Sequence, residues 1–537
     1  MTQLLITISK KNNIFAFHER QNFNIINTMS QPSSQFKALW EVTNLLDGYK
    51  LRNIDVLANI DSKSNFTKYY HFLKNDETKN EDLAAQHIGY TGKEDPNYRR
   101  FRVDYKTKLL HTIFFIDTSN TQFKEQSRVF LQCSQHINEL EILIRFGFHD
   151  SIAIYAREIL EQTQRYELTE LSLKLTIMLR QLYALHLKSK KEYERFATLS
   201  KIFEYELQIE RKALEYFDHL MSFYIKRLNK QDKVYNLADS YYRDLTPQIK
   251  EKASTNLLVY YFSIGLTKYL SRLDYQSALE ICDKAISTIK NKKYNAESSN
   301  VIFRNNKILC LTKLKQYDLA RLASKEALNT MLEGHNNWFS TVYKTVNLAF
   351  HESDILGAFE MYETGRFHKN FNSLPKSSQE NWYLLEAYMS LFEKLGALPV
   401  GSVDFKLKRF INNTPMMHAD KEGRNTSVQI IRLLHKIVDN DEKNLHESIE
   451  TLVRYRTRYM KSKDHKRTNI FVNILKNVIE AGHDFETVKK LTDELYEQLK
   501  FEEFDFDNKE HLLEVVPFHI LWVDHGTAIY SKYKNVA

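Results

Sequence analysis

Chain breakers are the scarcest residues in this sequence, and their absence constrains the fold more than any other feature. Residues 97–246 contain no proline and a single glycine, Gly147. A β architecture needs turns at intervals of roughly 8–12 residues, built largely from Gly, Pro, Asn and Asp, so this stretch reads as helical. The whole chain of 537 residues has only 13 Gly and 7 Pro. Compact domains usually run ~100–200 residues, so several domains or a repeat array are expected. An apolar fraction of 43%, with 33 Phe and 31 Tyr, supplies enough large side chains for a core and excludes a wholly disordered chain.

A period emerges along the helical stretch. An aromatic or apolar residue that starts a helix after a short polar break recurs at Phe148, Tyr193, Tyr235, Tyr275, Tyr317 and Ile355, with spacings of 45, 42, 40, 42 and 38. In the last three units small residues follow three and ten positions later: Ala278 and Ala285, Ala320 and Ala327, Ala358 and Gly365. Small side chains at that separation share a helix face and let a neighbouring helix come close. Each such helix is preceded by another with its own apolar stripe, for example Leu257, Leu258, Tyr261, Phe262, Leu266, Tyr269 and Leu270. Two amphipathic helices cannot bury themselves alone, so neighbouring units must stack.

The segment LSRLDYQSALEICDKAI (270–286) resembles the helical hairpin of tetratricopeptide-repeat proteins, with Asp274 and Tyr275 at the turn and Ala278 and Ala285 at the two small positions. LKQYDLARLASKEAL (314–328) and SDILGAFEMYETGRF (353–367) are similar. The match covers about 255–370, with fainter copies back to about 140. The period is nearer 40 than the ~34 of that family, which implies longer helices. The resemblance implies an all-α solenoid of helical hairpins that binds protein or peptide partners, with an inner groove lined by the first helix of each unit. Carried onto this chain, the groove positions are Tyr260, Ser263, Thr267, Asn305, Leu309, Tyr343 and Asn347. Their amides and hydroxyls suit the backbone of an extended peptide.

The sequence divides into a leader (1–35), an N-terminal helical region (36–118), the repeat array (119–396), an irregular break (397–425) and a C-terminal helical layer (426–537). The leader lacks the repeat pattern. Met29 opens a polar stretch that reads as a second candidate start, so residues 1–28 are expected to be dispensable. Pro399, Gly401, Pro415 and Gly423 mark the break, and helical patterns resume at 426–439, 443–461, 467–481 and 485–500. In the N-terminal region, NEDLAAQHIG (80–89), the turn YTGKEDP and NYRRFRVDYKTKLLHTIFFI (97–116) are also the parts of a helix-turn-helix nucleic-acid reader. Arg99, Arg102 and Lys106 share a face of its basic helix.

The formal net charge is +8, and much of it sits in one place: residues 454–467 carry seven Lys or Arg against one Asp. Arg454, Arg458 and Lys461 fall on one helix face with Tyr455 and Tyr459 interleaved, a pattern that can hold a polyanion. The competing reading docks this strip on Glu502, Glu503, Asp505 and Asp507. No GxGxxG, Walker A loop, GxSxG elbow or HExxH is present, and the histidines lack metal-ligand spacing. Cys133, Cys282 and Cys310 stand far apart, which fits reduced thiols better than a disulfide framework. No apolar run is long enough for a signal peptide or a membrane span. The sequence therefore points to a non-enzymatic cytoplasmic binding protein that uses no cofactor or metal and serves as a protein-interaction scaffold. The alternative is a nucleic-acid-binding regulator with a basic N-terminal helix and a repeat sensor domain.

Overall fold

A computed structural model describes residues 64–75, 80–113, 125–147, 149–225, 231–251, 253–292, 294, 296–414, 424–459, 465–480, 485–501 and 514–522, with 526 and 529. Among the described residues every regular element is a helix. By contacts the chain separates into two compact units, one ending at Gln208 and the next beginning at Ile209.

The first unit opens with α1 (Asn65–Asn75), α2 (Glu81–His87) and α3 (Pro96–Ile113); the last two lie close to the spans 80–89 and 97–116 read from the sequence. They bury a core of their own around Tyr69, Leu73, Ala85, Tyr98, Tyr105 and Leu109. Asn80 starts α2 by accepting hydrogen bonds from the Asp82 and Leu83 amides, which would otherwise be unpaired. Next come α4 (Glu125–Arg145), α5 (His149–Arg165) and α6 (Thr169–Leu185), with α5 packed on α4 and α6 on α5 over Ile137, Leu140, Ile152, Leu175 and Leu179.

Regular alternation fails at α7 (Lys190–Ile225), a continuous helix of 36 residues. The period predicts a hairpin within it, starting at Tyr193. Residues 190–225 contain neither Gly nor Pro, so nothing there stops the helix.

In the second unit the hairpins are regular. The helices are α8 (Gln231–Leu245), α9 (Thr255–Leu270), α10 (Tyr275–Lys290), α11 (Glu297–Lys313), α12 (Tyr317–Asn329), α13 (Asn336–His351), α14 (Ile355–Arg366) and α15 (Lys376–Lys394). Each packs on the next, and α11 also meets α13. The second helices begin at Tyr275, Tyr317 and Ile355, as the period predicts. Ala278, Ala285, Ala320, Ala327 and Ala358 are all 0% exposed, which is the close approach their size permits. At Gly365 a Cβ would lie 2.1 Å from a ring carbon of Trp382, so only glycine admits that tryptophan.

The turns repeat as faithfully as the helices. Leu273, Lys315 and Ser353 have φ of 59°, 56° and 58°, and each sits two residues before a second helix. The amides that follow reach back to close the first helix: Asp274 N donates to Tyr269 O, Gln316 N to Leu311 O and Asp354 N to Ala349 O, at 3.1, 2.9 and 3.0 Å. An L side chain in that left-handed conformation costs roughly 1–2 kcal/mol, of which glycine's extra unfolded-state entropy would cancel about half. Lys315 is exposed. Lys315→Gly should therefore raise the unfolding free energy by about 0.5–1 kcal/mol, and a lower thermal midpoint for this variant would refute the turn assignment.

After α15 the chain is irregular through 395–406, where the break is expected, and then forms α16 (Leu407–Asn413). The C-terminal layer consists of α17 (Arg424–Val438), α18 (Glu442–Tyr459), α19 (Lys466–Glu480) and α20 (Phe485–Phe501), matching the four patterns in the sequence. It shares one core with the last repeat helices, including Phe350, Trp382, Leu385, Leu434, Phe471 and Phe518. No described helix is long and apolar enough to cross a membrane.

Candidate interaction surfaces

The inner positions of the first helices do not form one open groove. Ser263 and Thr267 are 0% exposed, and Tyr260 and Asn305 are buried as well. Thr267 Oγ1 donates to Ser263 O at 2.8 Å, and Thr341 Oγ1 donates to Asn305 Oδ1 at 2.9 Å, tying α13 to α11. Four of the seven expected peptide contacts are thus buried within the fold: Asn305 is tied to α13, Tyr260 packs on Phe217 of α7, and Ser263 and Thr267 are closed off from solvent. The other three, Leu309, Tyr343 and Asn347, are half-buried.

On α13 the half-buried positions Ser340, Tyr343, Lys344, Asn347 and His351 fall on one face of the helix. Burial pushes the Tyr343 phenol above the ordinary range, and Asn347 one turn on opposes that shift. Burial pulls Lys344 down to about 8. Among the described residues no carboxylate lies within ion-pair distance of it. Burial, reinforced by the neighbouring cations Lys313 and Arg467, drives His351 down to about 3, so its imidazole stays neutral. Neither Lys344 nor His351 carries a motif in the sequence; their spacing from Asn347, three before and four after, is the one signal that places them on its face.

The outer side of the second helices is different. Leu319, Leu322 and Leu356 are 52%, 54% and 58% exposed, and Phe367 just beyond α14 is also exposed. They lie on the side of α12 and α14 away from the buried Ala320 and Ala358.

Much of the basic charge is engaged internally. On α3, Arg102 pairs with the buried Glu81 and Arg99 with Glu94, while Arg100 and Lys106 are exposed. On α18, Arg454 pairs with Glu450 at 3.3 Å, and Arg458 is exposed. Lys461 and the side chain of Tyr459 lie outside the described residues, as do Glu502, Glu503, Asp505 and Asp507. Arg456 turns toward α19, donating to Asn469 O at 3.3 Å and to Asn473 Oδ1.

Arg467, the last residue of the basic strip, is 1% exposed and contributes nothing to a surface. Its guanidinium grips Glu514 with two hydrogen bonds, Nε to Oε2 at 2.9 Å and an Nη to Oε1 at 2.7 Å. A third bond reaches Leu499 O at 2.6 Å, and a fourth reaches His519 Nδ1, the acceptor, at 3.0 Å. One side chain thereby joins α19, α20 and the segment at 514–519. Of the seven Lys and Arg in the strip, Arg456 and Arg467 are thus engaged within the fold, while the expected polyanion face rests on Arg454, Arg458 and Lys461.

No protein-family model matches the chain, and no curated protein is significantly similar to it. Among the described residues no group of three His, Cys, Asp or Glu is placed to hold a metal ion, and Cys133, Cys282 and Cys310 are free and buried.

Proposed function

We propose that the protein is a non-enzymatic cytoplasmic adaptor that gathers protein partners on its repeat helices, in the manner of the tetratricopeptide-repeat family it resembles. The observation that carries this reading is the outward display of Leu319, Leu322 and Leu356 on successive second helices whose opposite faces are tightly packed. Exposed leucines scattered singly need no explanation, but their recurrence on one side of a repeated element supports a recognition surface. Three reduced, buried cysteines fit the cytoplasm.

A second reading has its own support. The module α1–α3 has a self-contained core and a glycine turn, Gly89 at φ 91°, before a long helix with exposed Arg100 and Lys106. These features support a reading as a nucleic-acid-binding module beside a repeat domain.

One experiment separates the two. The full chain is used to capture partners from its native host, with and without nuclease, beside the triple variant Leu319→Glu, Leu322→Glu, Leu356→Glu. The adaptor reading expects protein partners that persist after nuclease and are lost in the triple variant, whose melting curve should match the parent's because the three sites are exposed. Loss of every partner on nuclease treatment would favour the regulator and overturn the adaptor.

A further inference from the structure

Between α19 and α20 the surface opens into a groove of about 970 Å³. Asn469 and Asn473 line it from α19, Asp493, Glu494 and Glu497 from α20, and Phe501 at the end of α20. The lining holds three carboxylates against a single ammonium, Lys466. Asp493 and Glu497 stand one helical turn apart, where like charges repel. Among the described residues none of the three carboxylates has an ion-pair partner. Phe501 is 78% exposed, a large aromatic face held in water at the groove's end.

The groove is also braced from behind. Arg456 holds the Asn473 side-chain oxygen and the Asn469 carbonyl, which leaves the Asn473 NH2 to donate elsewhere. Asn477 Nδ2 donates to Leu491 O at 3.2 Å and links the two helices. The site therefore offers fixed negative charge, an amide donor for a main-chain carbonyl and an uncovered aromatic ring. An anionic partner would be repelled, and a purely apolar one would desolvate carboxylates without pairing them.

We propose that this groove binds a short cationic segment of a partner protein, with Lys or Arg side chains meeting Asp493 and Glu497 and an apolar side chain covering Phe501. The proposal rests on the adaptor reading and names the chemistry of one of its partners. It assigns the C-terminal layer a role in recognition beside that of the repeats.

The test uses the full-length protein and a fluorescently labelled peptide of alternating Lys and Leu, read by anisotropy at low and high salt. A second peptide carries Glu in place of Lys. The Lys–Leu peptide should bind, weaken as salt rises, and lose about tenfold or more in affinity for the variant Asp493→Lys, Glu497→Lys. Phe501→Ala should weaken it by roughly three- to tenfold, and the Glu–Leu peptide should not bind. All three positions are exposed, so melting curves should match the parent's. No binding by the parent at low salt would overturn the proposal, as would equal binding by the charge-reversed variant. Binding seen only after Arg454→Glu, Arg458→Glu would mean that the chain's own basic helix fills the groove, and would also overturn it. If capture from the host still yields nuclease-resistant partners while the peptide fails, the groove assignment falls alone. If both fail, the adaptor reading falls with it.

Discussion

Arg467→Met should lower the unfolding free energy by about 3–5 kcal/mol. The variant leaves the Glu514 carboxylate, whose side chain is 0% exposed, without its cation and strands Leu499 O and His519 Nδ1 as well. An uncompensated buried charge costs far more than the pair contributes, because the intact pair offsets its own desolvation. Adding Glu514→Leu to Arg467→Met should restore much of the loss, since an apolar pair of similar volume has no charge to strand. Urea unfolding of the parent, both single variants and the double variant reads the coupling directly. A double variant as unstable as the two single losses added together would show that Arg467 acts through packing rather than through its charge.

The same residue shows why part of the chemistry could not be read from the sequence. Hydrophobic period, small residues and turn positions are local properties. They placed the hairpins at Tyr275, Tyr317 and Ile355 and the close contacts at Ala278, Ala320, Ala358 and Gly365 within a residue or so of where the structure has them. Charge pairing is not local. Arg467 ends a run that reads as one solvated basic strip, and its partner Glu514 lies 47 positions on, in a segment that reads as apolar. Arg456 and Arg102 depart from the expectation for the same reason: their partners are on other helices. The burial of four of the seven inner-groove positions, Tyr260, Ser263, Thr267 and Asn305, was hidden for a related cause. Helical spacing shows that Ser263 and Thr267 share a face of α9, and the repeat register sets Asn305 on the corresponding helix α11, but how much of those faces the neighbouring helices cover depends on interhelical distance, which spacing does not encode. The fusion of two expected helices into α7 was legible in principle, since the absence of breakers over 190–225 is a sequence fact, yet the recurrence of Tyr193 at the repeat interval outweighed it in the reading.

Lys344→Met should act in the opposite direction and stabilise the protein. Lys344 is half-buried on α13 between Tyr343 and Thr345, and among the described residues it has no carboxylate partner. Burial lowers its pKa from 10.5 to about 8, so the folded protein pays to keep this ammonium charged at neutral pH. Between pH 8 and the unfolded value the unfolded chain binds more protons at this site than the folded one. The group's contribution to stability therefore rises with pH across that window. The penalty is complete below pH 8 and is relieved as pH climbs toward 10.5. Discounted for partial exposure, the shift corresponds to a penalty on the order of 2–3 kcal/mol. Methionine keeps the length and flexibility of the stem without the charge. At pH 7 the variant should unfold at higher denaturant than the parent by that amount, and the gap should narrow when both are compared at pH 10. A variant less stable than the parent at pH 7 would mean that the ammonium has a partner the fold depends on. A gap of equal size at both pH values would assign the gain to packing alone.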